Sequence, residues 1–235
     1  MAAGFQHRLC TGFPELLERG RPITLNPQKL LVTGEYDPAQ TVLYYEYSLD
    51  YKGYHKYKVI HETVRNMRVR FGSDIRESVI EQISFHMYLA PDGSHVFVCT
   101  TEAICEELLR RARSTFSSFM FNSRELDLKR MNEEVPQQIS GGWFKDLKIA
   151  DVSVAALYGA EVSHSDDWER FSQVGTITVL MMDYQKDAAS YKVSVNKKGA
   201  IVLFNKLSEE VQVELLENIS RVTERFATAK TISAR

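Results

Sequence analysis

The sequence has no run of about 18 apolar residues, so no segment is expected to cross a membrane as a helix. Its three cysteines, Cys10, Cys99 and Cys105, are odd in number and form no CxxC pair. That excludes a disulfide framework, a zinc knuckle and a dithiol redox motif, leaving structural thiols in a reducing cytoplasm as the expectation. Phosphate-binding glycine loops are missing too. Gly141-Gly142 runs into Trp143-Phe144 rather than Lys-Ser/Thr, and there is no GxGxxG.

The histidines His55, His61, His86 and His95 have neither HxH nor HExxH spacing, so they read as residues scattered on polar faces rather than as metal ligands. No cofactor or metal is expected. His164, Ser165, Asp166 and Asp167 supply the residue types of a hydrolase triad. Triad members come from separate segments, however, so these neighbours read as a capped turn. The segment Met1–Arg8 has no apolar run after its charges and does not read as a secretory signal. With a net charge of −2, the whole molecule is no electrostatic footprint for DNA or an anionic membrane.

What is present is a unit that recurs: strand, glycine-containing turn, strand, then a helix preceded by Ser or Thr. The first copy runs Ile83–Leu89, Pro91-Asp92-Gly93-Ser94, Val96–Cys99, then Thr101 into Glu102–Phe119. The second runs Tyr191–Val195, Asn196-Lys197-Lys198-Gly199, Ala200–Phe204, then Ser208 into Glu209–Phe226. Glu107-Leu108-Leu109 matches Glu214-Leu215-Leu216 without a gap. The helices offer apolar stripes at three- and four-residue spacing: Ile104, Leu108, Leu109 and Ala112 in one, Val211, Leu215, Leu216, Ile219, Val222 and Phe226 in the other.

Around these copies the chain divides into an N-terminal arm (1–40), a first α+β half (41–120), a connection (121–175) and a second half (176–235). The arm has room for one short helix near Pro14–Arg19. Leu43, Tyr45, Tyr47 and Leu49 alternate with polar residues, Asp50-Tyr51-Lys52-Gly53 is a turn, and Tyr54–Ile60 returns as the partner strand. Val64–Phe71 reads as a third strand or the start of a helix. In the connection, Arg124–Met131 is a possible short helix, Gly141-Gly142 a flexible joint, and Ser165 a helix cap.

The second copy resembles half of a TATA-box-binding-protein fold on Tyr191–Val195, Lys198-Gly199, Ala200–Phe204 and Ser208–Phe226, with Ile83–Phe119 as the pseudo-symmetric partner. The resemblance implies curved antiparallel strands carrying long helices. It carries over no functional residue, because the paired phenylalanine wedges with asparagines of that family are not found here.

One surface has a distinctive composition. Seven of the eleven tyrosines lie between Tyr36 and Tyr57, and from Tyr51 to Phe71 six basic residues stand against the single acid Glu62, a local charge of +5. Tyrosine supplies a rigid contact face, and lysine or arginine beside it neutralises phosphates. The plainer reading is a twisted hairpin whose tyrosines pack cross-strand while lysines guard an edge.

The expectation is therefore an α+β protein: an antiparallel sheet with two long helices packed on it and an internal duplication. It is expected to act as a non-catalytic binding or assembly module, contacting a protein partner or a second copy through Tyr54, Lys56, Lys58, Arg65, Arg68 and Arg70. Nucleic-acid binding by the same surface is the main alternative, and an enzyme with a site assembled from scattered residues is the third. Tyr54, Lys56 and Lys58 are expected to point outwards.

Overall fold

Alternating apolar and polar residues build most of this chain into antiparallel strands, which Ser-, Thr- and Asp-preceded segments interrupt as helices. The computed structural model describes residues 2–14, 21–26, 39–122, 124–135, 138–149 and 151–228. The helix expected near Pro14–Arg19 falls, beyond Pro14 itself, outside the described residues, as does Tyr36. The fold is α+β, and the chain divides into two compact units, one of Arg8–Phe121 and one of Met1–His7 with Asn122–Arg235.

In the unit Arg8–Phe121, the strands are the latter part of β1 (Ala3–Thr11), β2 (Pro22–Leu25), β3 (Thr41–Ser48), β4 (His55–Phe71), β5 (Asp74–Leu89) and β6 (His95–Val98). They lie in the order β1-β6-β5-β4-β3-β2, followed in sequence by helix α1 (Glu102–Thr115) and the short strand β7 (Met120–Asn122). Val64–Phe71 is the continuation of β4, which is one strand of 17 residues.

The buried row of the strands, Leu43, Tyr57, Val59, Phe85, Met87, Val96 and Val98, forms one cluster with Cys105, Leu108, Leu109 and Ala112 of α1. This is what period 2 in the sheet and period 3.6 in the helix produce when one face of each is apolar.

In the second unit, strand β8 (Glu125–Leu126) leads into α2 (Leu128–Glu134), whose first turn is capped by the Asp127 carboxylate accepting from Arg130 N at 3.0 Å. There follow β9 (Ile139–Ile149), β10 (Val152–Tyr158), α3 (Asp166–Val174), β11 (Thr176–Lys186), β12 (Ala189–Asn196), β13 (Ala200–Leu203), α4 (Glu209–Glu224) and β14 (Ala227–Thr228). The sheet order is β10-β9-β11-β12-β13, with the first residues of β1 beside β13, and β14 pairs separately with β8. The stretch 121–175, expected as a connection, thus contributes the three strands β8, β9 and β10 and the helices α2 and α3.

Gly141-Gly142 is no joint. Both residues lie inside β9 and pair with β10 and β11. A Cβ on Gly142 would stand 2.6 Å from Cη2 of Trp168, so the glycine makes room for the indole rather than for motion. Trp168 is buried on α3 and meets Phe144 edge-on at 5.0 Å between centroids. Ser165 caps α3, its hydroxyl accepting from Trp168 N at 3.3 Å. Thr101 and Ser208 hold the N-cap positions of α1 and α4 in extended conformation, but neither side chain makes a cap hydrogen bond. Among the described residues, no helix is long and apolar enough to cross a membrane.

Candidate interaction surface

The cross-strand register of β4 and β5 assigns each residue to a face, because directly opposed residues project the same way. Tyr57 opposes Met87, Val59 opposes Phe85 and His61 opposes Ile83, which is the row beneath α1. Lys56 opposes Tyr88 and Lys58 opposes His86 on the other face.

Two residues expected at the surface are buried. Tyr54 is 2% exposed, stacks with Phe97, and places its hydroxyl 2.6 Å from His95 Nε2. Lys56 is 6% exposed: its ammonium pairs with Glu46 at 3.0 Å, donates to the Tyr47 hydroxyl at 3.2 Å and lies 5.0 Å from that ring's centroid. A cation with a carboxylate, a hydroxyl and an aromatic face around it can stay charged where a bare one would not. Tyr45 and Tyr57 likewise pack edge-on with neighbours, so tyrosines of this hairpin serve the unit's own packing. Lys58 is exposed, as expected.

Arg65, Arg68 and Arg70 are all exposed, and they sit on a feature the sequence reading did not foresee. Strand β3 accompanies β4 only as far as His61, and β6 accompanies β5 only over Met87–Leu89. From Glu62 to Gln82 the two strands therefore continue as a two-stranded arm, with no further strand beside either edge among the described residues. At about 3.3 Å per residue, the ten residues that β4 contributes make it about 33 Å long. Its tip is the two-residue loop Gly72-Ser73 between the paired Phe71 and Asp74, with Gly72 at a φ of 62°. A hairpin turn with glycine first requires that positive φ. A bulge between Asn66 and Val69 adds twist.

Arm side chains are solvent-facing even where apolar: Val64 is 39% exposed, Met67 49%, Ile75 52% and Ile80 53%. Val64 and Ile80 oppose each other directly. Arg65 shares its face with Val79 and Arg70 with Ile75, opposite to the face of Lys58. The basic residues of the +5 segment are thus split between faces. Along the arm, moreover, Arg65 pairs with Glu81, Arg68 lies 3.6 Å from Glu77, and Arg70 donates to the Gly72 carbonyl at 2.8 Å. From Glu62 to Glu81, Arg65, Arg68, Arg70 and Arg76 balance Glu62, Asp74, Glu77 and Glu81.

A second constellation lies at the arm's root. His61, fully buried in the row of Tyr57 and Val59, places Nδ1 2.7 Å from the Thr41 hydroxyl and Nε2 3.3 Å from Glu107 Oε2. Arg111, also fully buried, donates to Glu107 Oε1 at 2.5 Å, to Thr41 Oγ1 at 3.0 Å and to the Ala39 carbonyl at 2.9 Å. Burial raises the Glu107 carboxyl's affinity for protons, but His61 and Arg111 outweigh it and hold the pKa below the ordinary value. Hydroxyl, imidazole and carboxylate in series are the parts of a nucleophilic relay. Here both Thr41 and His61 are sealed from solvent, so the arrangement bolts α1 to β3 and β4 instead.

In the other unit, a cavity of about 370 Å³ is lined by Glu125, Asp127, Lys129, Ser172 and Lys197 among others, with Lys197 paired to Glu125 at 2.9 Å. Among the described residues, no group of three or more His, Cys, Asp or Glu side chains is placed to hold a metal ion. Compared with known proteins, the chain matches no family model and no curated protein.

Proposed function

We propose that this protein is a non-catalytic binding or assembly module whose contact element is the β4–β5 arm and whose partner is a protein. One observation carries this reading: the arm is electrically balanced yet exposes Val64, Met67, Ile75 and Ile80. An isolated two-stranded ribbon is marginal in water, and exposed apolar side chains with open strand edges favour association. A phosphate-binding arm would instead need a cationic excess. The arginines here are matched by acids, which favours a protein partner over a nucleic acid.

An internal duplication is part of the same proposal. Its support is that β5, β6 and α1 follow one another as β12, β13 and α4 do. The two turns contain Gly93 at φ 67° and Gly199 at φ 77°, and the N-cap residues Thr101 and Ser208 have nearly equal dihedrals. The likeness to a TATA-box-binding-protein half belongs here as an architectural proposal only.

A photo-reactive phenylalanine placed at Met67 tests the assignment in living cells. A covalent protein adduct that disappears when Val64 and Ile80 are both changed to glutamate is expected. A folded protein that yields no such adduct overturns the reading.

A further inference from the structure

We propose that strand β10 is a self-association edge: two copies of this chain pair β10 with β10, antiparallel and about a two-fold axis, so that one sheet continues into the other. This goes beyond the arm and does not depend on it. β10 stands at the end of its sheet, with no strand beyond it among the described residues. Val152–Tyr158 holds no charged residue and no proline. Folded proteins guard an open edge with such residues or by keeping the strand short. By contrast, β2 has four residues and starts at Pro22, and the strands of the arm carry arginines and glutamates.

The ladder with β9 shows which backbone groups face outward. The Gly159 N–H donates to the Ser140 carbonyl at 3.1 Å, which fixes the alternation along the strand. Ala155 and Leu157 therefore turn their N–H and C=O towards Phe144 and Gly142 of β9, whereas Val154, Ala156 and Tyr158 turn theirs to the open side. A bulge between Val152 and Val154 ends the regular edge there. A two-fold axis at Ala156 pairs this set with itself completely. Ala156 then lies opposite Ala156 of the second copy, and Val154 and Tyr158 lie opposite each other on both sides of the axis.

The side chains suit that register. A residue on the axis meets its own copy, so it must be small and uncharged, as Ala156 is. Tyrosine opposite valine is a favourable aromatic–β-branched cross-strand pair. The Tyr158 ring lies back over Gly141, where a Cβ would stand 2.7 Å from Cδ1, and meets Trp143 edge-on at 5.3 Å between centroids. Tyr158 nevertheless remains 54% exposed and Val154 53%, and the second copy covers both. Helix α3 packs over β9 and β11, inward of the edge. An uncharged edge whose outward groups close upon themselves needs no other sequence to complete it, which favours a second copy over a foreign strand. The strand's seven residues make an edge about 23 Å long, and at about 10 Å thick it offers roughly 230 Å² per partner, against roughly 800 Å² for a standard interface. The dimer is accordingly weak and concentration-dependent, and with no charge in the ladder added salt does not dissociate it.

The test uses the position on the axis. Ala156→Lys and Ala156→Glu each set like charges opposite one another in the dimer, and the site is solvent-exposed in the single chain, so its own fold tolerates either. Sedimentation of the full chain is followed over a concentration series up to about 1 mM. Wild type is expected to dimerise, each variant to associate at least about tenfold more weakly, and an equal mixture of the two variants to recover association. Variants that dimerise as wild type does overturn the inference, and so does a mixture no stronger than either variant alone. A wild type that stays monomeric throughout overturns it too, and leaves the edge to a strand of another protein.

Hydrogen exchange on wild type needs no variant. The amides of Val154, Ala156 and Tyr158 are expected to slow as concentration rises, while those of Ala155 and Leu157, already bonded to β9, stay unchanged. Dimerisation that leaves the first three amides unprotected, as pairing through the arm would, overturns the proposal without touching the reading of the arm.

Discussion

His61 Nε2 and Glu107 Oε2 face each other across 3.3 Å, and with Arg111 they tie helix α1 to the strands from which the arm departs. The imidazole, guanidinium and Thr41 hydroxyl of this network have no exposure to solvent, and the Glu107 side chain is 19% exposed. Removing the carboxylate charge takes from the buried Arg111 the charged acceptor it holds at 2.5 Å. Glu107→Gln is accordingly expected to cost about 3 kcal/mol at neutral pH, the lower end for breaking a buried pair.

The same contact sets an acid limit. Because the folded pKa of Glu107 lies below its unfolded value, its contribution is present above the ordinary carboxyl range and is lost as pH falls through the folded value. Denaturant midpoints of wild type and Glu107→Gln should therefore differ most above the ordinary carboxyl range and converge as pH falls below it. A difference that stays constant across that range would mean that the charge of Glu107 is not what the network uses.

Much of this was legible in the sequence, and the omissions have physical causes. Period 2 correctly paired Thr41–Ile60 into a hairpin, and period 3.6 placed Leu108, Leu109, Leu215 and Leu216 in buried stripes. The same alternation puts His61 in the row of Tyr57 and Val59, a signal that a scattered-histidine reading overlooks. Arg111, three residues after Leu108, likewise marks a charge inside the apolar stripe of α1.

The arm was not legible, because Met67, Val69 and Phe71 alternate with polar residues in the same way whether or not anything covers them. Burial depends on neighbouring strands that end far away in sequence. Gly141-Gly142 misled for a related reason: Gly142 is required by the indole of Trp168.

That indole gives a second prediction. Gly142→Ala places a methyl group 2.6 Å from Cη2 and 3.0 Å from Cζ3 of a side chain that is 2% exposed. Overpacking of this kind costs about 1–3 kcal/mol. Trp168→Phe should recover part of the loss in the double variant, since the smaller ring vacates the clash. Strict additivity of the two changes in denaturant melts would show that the contact is not the cause.

Lys56 and Lys58, two residues apart on one strand face, should respond in opposite ways. Lys56→Ala abandons Glu46 and the Tyr47 contacts and is expected to cost about 1–3 kcal/mol. Lys58→Ala, at an exposed position, should stay within about 0.5 kcal/mol. Equal effects in thermal melts would contradict the burial of the Lys56 ammonium.

The thiols supply the last prediction. Cys10 is buried and donates to the Gly93 carbonyl at 3.3 Å; burial, aided by Asp92, pushes its pKa up to about 12. Burial likewise raises Cys105 to about 12, the opposing pull of Arg8 being smaller. Cys99 is also raised by burial, but it is only partly enclosed. Since the thiolate is the reactive form, a thiol reagent at neutral pH should label Cys99 first, and Cys10 and Cys105 only at the rate of unfolding. In the folded state a raised pKa keeps these thiols protonated above pH about 8.5, where the unfolded chain ionises. Their contribution is complete below that value and declines as pH climbs towards 12, so stability should fall with rising alkalinity at about 1.4 kcal/mol per unit for each thiol. Replacing Cys10 and Cys105 by alanine removes the ionisable groups and should flatten that decline. A decline as steep in the double variant as in wild type would assign the alkaline loss to other groups.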